Sequence, residues 1–150
     1  MKNNKNKTPY AVEHPATGKS PRISSDPNSY YELQPSWRIH KLEMCEPYGW
    51  HELDSDSIAR VRERLAAFES MTWREILLDG KKRHHNVNIR DLCKPAQDRL
   101  TELGLDDLDR LLSLGLTGSE RIWGILASGV MNLLWWDPDH RICPSRLKHT

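Results

Sequence analysis

The sequence predicts an α+β domain in which a small antiparallel sheet carries two or three helices packed on one face. Three observations favour this class. Apolar residues alternate with polar ones after residue 36, recur at spacings of three and four between residues 58 and 103, and alternate or run continuously between residues 112 and 136. The predicted order is therefore a strand, then helices, then about three antiparallel strands.

Composition limits both the number of domains and the class of function. The chain has 150 residues, 37% of them hydrophobic and 29% charged, which suits about one domain. A net charge of +1 excludes a protein that binds nucleic acid through bulk charge. No run is apolar enough to cross a bilayer, the N-terminus lacks a secretory signal, and three cysteines without CxxC spacing favour reduced thiols. We expect a cytoplasmic protein without a membrane partner.

Residues 1–30 are predicted to form a disordered or loosely attached arm, and residues 31–150 a single α+β domain. The first segment is rich in proline, asparagine, lysine and serine and has almost no periodic apolar residue. Its cations outnumber its acids, so two roles remain open. It helps a neighbouring site hold phosphate, or it is a solubilising tail.

The first strand is predicted over residues 36–44, where apolar and charged residues alternate with one slip of phase. The first helix begins at residues 54–57, where Asp and Ser side chains can cap free amides. One apolar stripe follows along this helix, made of Ile58, Val61, Leu65 and Phe68.

Two further helices have local start and stop signals. Thr72 and Glu75 have capping-box spacing, and Gly80 is a credible C-terminal stop. After a short extended piece at residues 87–89, Pro95 fits the first turn of another helix, which Gly104 ends.

The C-terminal third is rich in predicted strands. Leu112, Leu114 and Leu116 alternate with small residues, and residues 121–126 and 130–136 form two more strands joined by a hairpin at 127–129. The last of these is nearly all apolar, which predicts a strand covered on both faces. Residues 137–139 then form a turn with proline at its second position.

No strong catalytic motif is present, but the chain holds the parts needed to break a phosphodiester without a metal. Such a reaction needs a base for the attacking 2′-hydroxyl, cations for the phosphate and an acid for the leaving oxygen. The candidate cations and imidazoles are Lys81, Lys82, Arg83, His84, His85, Arg121, His140, Arg141, Lys148 and His149.

Each candidate also has a purely structural interpretation. The His84-His85 pair beside three cations is typical of a solvated loop, Arg121 of an exposed strand residue, and His140 of a turn. His140 and His84 each have a cysteine nearby in sequence, but neither spacing matches a zinc pattern. We therefore predict no metal and no cofactor.

The order of elements, and above all the segment LLSLGLTGSERIWGILASGVMNLLWWDPDHRIC at residues 111–143, resembles the RelE/ParE superfamily of small bacterial toxins. The resemblance extends over about residues 36–143 and is one of pattern. It implies a compact α+β domain that cuts messenger RNA, as RelE-type members do on the ribosome. It also implies that Arg121 faces the scissile phosphate, that His140 does acid or base work, and that Lys81 and Lys82 lie in a basic segment.

Our first hypothesis is therefore a RelE-like endoribonuclease toxin acting on messenger RNA, either free or on the ribosome, and held inactive by a cognate antitoxin. Arg121 and His140 are its candidate catalytic residues. The candidate RNA-binding residues are Lys81, Lys82, Arg83, His84, His85, Arg141 and Lys148. The alternative is a non-enzymatic protein-binding module or inhibitor with an exposed tryptophan face, formed by Trp73, Trp123 and either Trp135 or Trp136. Convergence of the cations on one concave face favours the nuclease, and a surface tryptophan patch favours the module.

Overall fold

The computed structural model describes residues 30–79 and 83–144. Two short 3-10 turns, at Trp50–Glu52 and Ile89–Asp91, accompany three helices and five strands in this part of the chain. In chain order the elements are β1 (Ser36–Arg38), α1 (Ser55–Phe68), α2 (Trp73–Leu77), β2 (His84–Asn88), α3 (Lys94–Glu102), β3 (Arg110–Gly115), β4 (Arg121–Ala127) and β5 (Val130–Asp137). Several predicted features lie outside the described residues. These are the arm except for residue 30, the helix stop at Gly80, and the candidate residues Lys81, Lys82, Lys148 and His149.

The five strands form one sheet in the order β1-β5-β4-β3-β2, which confirms the α+β class. β2 to β5 pair as antiparallel neighbours, whereas β1 runs parallel to β5. The sheet is therefore mixed, and the prediction of an antiparallel sheet is wrong at β1. β1 and β5 are far apart in sequence and no hairpin joins them, so no local turn determines their relative direction.

Helices cover both faces of the sheet, so the prediction that they pack on one face is also wrong. α1 and α2 pack on one face against a cluster that includes Leu112, Leu114, Ile122, Met131 and Trp136. α3 packs on the other face against Leu111, Trp123, Leu134 and Trp135. Successive strand residues point to opposite faces, and β3 and β5 are apolar on both, so each face needs a cover.

The local helix signals are confirmed. The Asp54 carboxylate accepts a hydrogen bond of 2.8 Å from the Ser57 amide at the start of α1. Thr72 and Glu75 form the reciprocal capping box of α2. Pro95 lies in the first turn of α3, and Gly104 follows that helix with a φ of +72°, a conformation that favours glycine.

Two strand boundaries differ from the prediction. β1 ends at Arg38 because the chain then turns, with the Leu42 amide donating to the Ile39 carbonyl at 3.1 Å. β2 begins at His84, earlier than the predicted extended piece, and Ile89 already belongs to a 3-10 turn. The densest cationic segment of the sequence therefore leads directly into an edge strand.

The tryptophans of the predicted surface patch are core residues. Trp73, Trp123 and Trp135 are at most 1% exposed and Trp136 is 7% exposed, so the predicted tryptophan face does not form. On one face the Trp136 indole donates to Glu120, which also binds Arg60 of α1. On the other face the Trp135 indole donates to Glu43, which also binds Arg99 of α3. None of the helices in residues 30–79 and 83–144 is long and apolar enough to cross a membrane.

Candidate active site

Basic side chains from two strands and one turn meet in a cleft on the sheet face that carries α3. Arg83 immediately precedes β2, His85 is the second residue of that strand, and Arg121 begins β4. His140 follows the turn after β5. The cleft has a volume of about 260 Å³ and is lined by Arg83, His85, Val87, Ser113, Arg121, Trp123, His140, Cys143 and Pro144.

Two of these cations approach each other over a glycine. Gly115 of β3 pairs with Arg121 of β4. A Cβ atom on Gly115 would lie 3.6 Å from Cζ of Arg121, 3.6 Å from Nε of Arg83 and 3.0 Å from the Arg83 carbonyl oxygen. A Cβ atom at residue 115 would therefore touch the guanidinium groups of both arginines and crowd the Arg83 carbonyl oxygen.

Backbone carbonyls, and not carboxylates, hold the two guanidinium groups. Arg83 donates to the Leu116 carbonyl at 2.7 Å, and Arg121 donates to the carbonyls of Gly118 at 2.7 Å and Glu120 at 2.9 Å. Across the described ranges the arginine ion pairs are those of Arg60, Arg74, Arg99 and Arg141. The positive charge of Arg83 and Arg121 is therefore left for an anion.

The electrostatics of Arg121 agree with this arrangement. Burial lowers the pKa of Arg121, the charge of Arg83 lowers it further, and the carboxylate of Asp137, the cross-strand partner of Arg121, opposes both. Two like charges at one partly buried place are typical of functional sites, because they disfavour the empty state and favour a bound anion.

His140 is held in an uncommon backbone conformation beside these cations. Its φ is +57°, in the left-handed region, where histidine is tolerated better than most residues. Burial lowers the pKa of His140, and Arg121 and His85 add to this effect while Asp137 opposes Arg121. The neutral imidazole, which accepts a proton, is therefore favoured near neutral pH.

A buried carboxylate fixes the turn that carries His140. Asp137 is 0% exposed, and its two oxygens accept hydrogen bonds of 2.9 Å from the amides of Arg141 and Ile142. The ends of β5 and of the turn are thus tied together on either side of His140. This tie explains how a residue outside regular secondary structure keeps a defined position at the cleft.

The structure places His84, one of the candidate RNA-binding residues, away from the cleft. Strand alternation turns His84 to the face opposite His85, where it is 7% exposed and packs edge-on against Phe68. Its Nδ1 accepts a hydrogen bond of 3.1 Å from the Gly115 amide. Burial, and after it the charge of Arg83, lowers the pKa of His84 to about 4.

Arg141 also lies outside the cleft. Its guanidinium is 5.4 Å from the centre of the Tyr48 ring, and it lines a separate cavity of about 390 Å³. Two acids of that cavity, Glu46 and Glu52, form ion pairs with His51, and among the described residues these three form the group able to hold a metal ion. The group is exposed and the ion pairs account for its geometry.

Five lining residues were not anticipated from the sequence as part of a nuclease site: Val87, Ser113, Trp123, Cys143 and Pro144. Ser113 pairs with His85 on one side and with Trp123 on the other, so strand register brings them to the cleft. The Trp123 indole nitrogen is buried and has no hydrogen-bond partner within the described part of the chain. The only sequence signal for Ser113 and Trp123 is the alternation of side-chain direction along β3 and β4, which places them on one face of the sheet.

Two guanidinium groups and two imidazoles in one cleft can bind a phosphate and move protons around it. No family model, no curated protein and no solved structure matches this chain.

Proposed function

We propose that this protein is a RelE-like toxin, an endoribonuclease that cleaves messenger RNA without a metal ion. One observation carries the proposal: Arg83, His85, Arg121 and His140 line a single cleft, and neither arginine is paired with a carboxylate in the described residues. Cations and imidazoles around one phosphate are the groups that phosphodiester cleavage by an adjacent hydroxyl requires.

In the proposed reaction Arg121, with Arg83 beside it, binds the non-bridging oxygens of the scissile phosphate. The 2′-hydroxyl of the preceding ribose attacks phosphorus while His140 accepts its proton. The guanidinium groups stabilise the charge that builds on the phosphate oxygens in the transition state. A 2′,3′-cyclic phosphate forms and the 5′-oxygen leaves.

The size of the cleft favours single-stranded RNA. About 260 Å³ is below the usual range for a small-molecule site, so it suits a phosphate with its neighbouring sugar rather than an extended duplex. Single strands can turn one such unit into a protein site. A net charge of +1 gives little general attraction to RNA, so delivery of the message on the ribosome fits this chain.

A cognate antitoxin protein is part of the proposal, because a free messenger-RNA nuclease arrests growth. Co-expression of the product of an adjacent small open reading frame is expected to restore growth. The alternative, a non-enzymatic module with a tryptophan face, has less support since Trp73, Trp123, Trp135 and Trp136 are buried.

The test uses purified protein and an end-labelled single-stranded RNA, with and without ribosomes. We expect cleavage by the unaltered protein, a product with a 2′,3′-cyclic phosphate, and no cleavage at a nucleotide that lacks its 2′-hydroxyl. Arg121→Ala and His140→Asn should each slow cleavage by about 100-fold or more. Asparagine is chosen at residue 140 because it tolerates the left-handed backbone.

Arg90→Ala is the matched control, since Arg90 is exposed and outside the cleft. It should cleave like the unaltered protein. An unaltered protein that leaves RNA intact under both conditions contradicts the proposal, as does full activity of the Arg121→Ala and His140→Asn variants.

A further inference from the structure

The cleft contains a second imidazole, that of His85, in addition to His140, the group proposed as the base. His85 is exposed on the edge strand β2 and faces Ser113 of β3 in register, and Ser113 in turn faces Trp123 of β4. These three residues form a row across the cleft floor with His85 at its open end. Its sequence neighbour His84 points into the opposite core and cannot take part.

We propose that His85 is the general acid of the cleavage reaction, the group that protonates the leaving 5′-oxygen. This inference rests on the proposed endoribonuclease function and adds a catalytic role to a residue that the sequence suggested only as an RNA contact. It stands on geometry, because His85 and His140 line the same cleft and Arg83 and Arg121 line it with them.

The environments of the two imidazoles differ in the way that an acid and a base require. His140 is partly buried next to Arg121, and both features favour its neutral form. His85 is exposed on the edge strand, open to solvent. It also adds to the effects that lower the pKa of His140.

The step balances with these two residues alone. The 2′-oxygen forms a bond to phosphorus and passes its proton to His140. The bond between phosphorus and the 5′-oxygen breaks, and His85 gives its proton to that oxygen. The products are a 2′,3′-cyclic phosphate and a free 5′-hydroxyl, and exchange with water returns both imidazoles to their starting states.

A change of leaving group in the substrate can show whether His85 acts as a general acid or only binds RNA. We compare an oligonucleotide with one normal linkage and the same oligonucleotide with sulfur in place of the bridging 5′-oxygen. A thiolate leaves without protonation. His85→Gln, which keeps a hydrogen-bonding side chain, should cleave the normal linkage about 100-fold more slowly than the unaltered protein. It should cleave the sulfur-bridged linkage at nearly the unaltered rate.

His140→Asn should be slow on both substrates, because the attacking hydroxyl still needs a base. His51→Gln, the same change at an exposed histidine outside the cleft, should be unaffected on both. Equal slowing of His85→Gln on the two linkages, or an unchanged rate on the normal one, overturns the role as acid and leaves the nuclease proposal standing. An unaltered protein that cleaves neither substrate overturns the nuclease proposal itself.

Discussion

At the scale of single residues, Gly115 marks the point near which the two arginines of the cleft meet. A Cβ atom there would lie 3.6 Å from an atom of each guanidinium group. The Gly115 amide also donates to His84 in the opposite core. One small residue thus links the anion site to the packing beneath it.

Gly115→Val is expected to weaken RNA binding about tenfold while the protein still folds. The added carbons occupy the space between the two guanidinium groups, and loss of one charge-assisted hydrogen bond costs about 1.5–3 kcal/mol. Fluorescence anisotropy with a labelled RNA whose 2′-hydroxyls are methylated measures binding without cleavage. Urea denaturation of the same variant checks that it folds.

Gly104→Ala should lower the stability of the protein without changing its affinity for RNA. Gly104 has a φ of +72° and open space around it, so alanine there strains the backbone without touching the cleft. We expect a loss of about 1 kcal/mol in the free energy of unfolding and unchanged RNA affinity. Tight RNA binding by Gly115→Val would contradict the proposed role of the arginine pair.

The residue types at the cleft were more predictable than their placement. Arg121 and His140 were identified because a phosphate site needs a guanidinium and an imidazole, and both lie in the cleft. His84 and His85 are identical and adjacent in sequence, so only the phase of β2 decides which one is buried. Gly115 has no reactive side chain, and its place beside Arg121 depends on how β3 pairs with β4. The residue pattern of one strand does not specify that pairing.

At the scale of elements, helix ends and the C-terminal hairpin were predictable, and the partner of β1 was not. The caps at Asp54 and Thr72 join residues only three apart in sequence, so the residue types and their spacing are enough to predict them. The hairpin between β4 and β5 is equally local. The parallel pairing of β1 with β5 depends on contacts between distant segments, and no local signal encodes it.

The turn after β5 provides a test at this scale. Asp137→Ala leaves two backbone amides, those of Arg141 and Ile142, without their acceptor, and the Ile142 amide is buried. Each unsatisfied buried group costs about 1–3 kcal/mol, so we expect the free energy of unfolding to fall by about 2–4 kcal/mol. Urea denaturation followed by circular dichroism measures this change.

Asp137→Asn is the graded control, because its amide oxygen replaces one of the two acceptors. Its free energy of unfolding should lie between that of the unaltered protein and that of Asp137→Ala. Equal stability of all three proteins would show that the buried carboxylate does not hold the turn.

At the scale of the whole molecule, β5 ties two hydrophobic cores together. Trp135 and Trp136 are adjacent but point to opposite faces, and each donates to a buried glutamate that an arginine of the covering helix also binds. A buried carboxylate with these partners is costly to leave unpaired. α1 on one face and α3 on the other are therefore both connected to β5 through a glutamate.

Acid should unfold the protein through His84. The unfolded chain binds a proton at this residue with a pKa near 6.5, whereas burial lowers the pKa in the folded protein to about 4. The free energy of unfolding is therefore independent of this group above about pH 6.5 and falls as the pH drops towards 4. The total contribution is about 3 kcal/mol, at about 1.4 kcal/mol per pH unit.

Urea denaturation between pH 4 and 8 measures this dependence. His84→Gln keeps an acceptor for the Gly115 amide but does not titrate, so its stability should vary less between pH 6.5 and 4 than that of the unaltered protein. Parallel curves for the two proteins would show that His84 does not bring about the acid sensitivity.

The parallel pairing of β1 with β5 also has a consequence for newly made chains. Synthesis proceeds from the N-terminus, so β1 emerges long before the strand that holds it at the sheet edge. His140 follows β5 and is added later still. A nascent chain therefore has no cleft until almost every described element has left the ribosome.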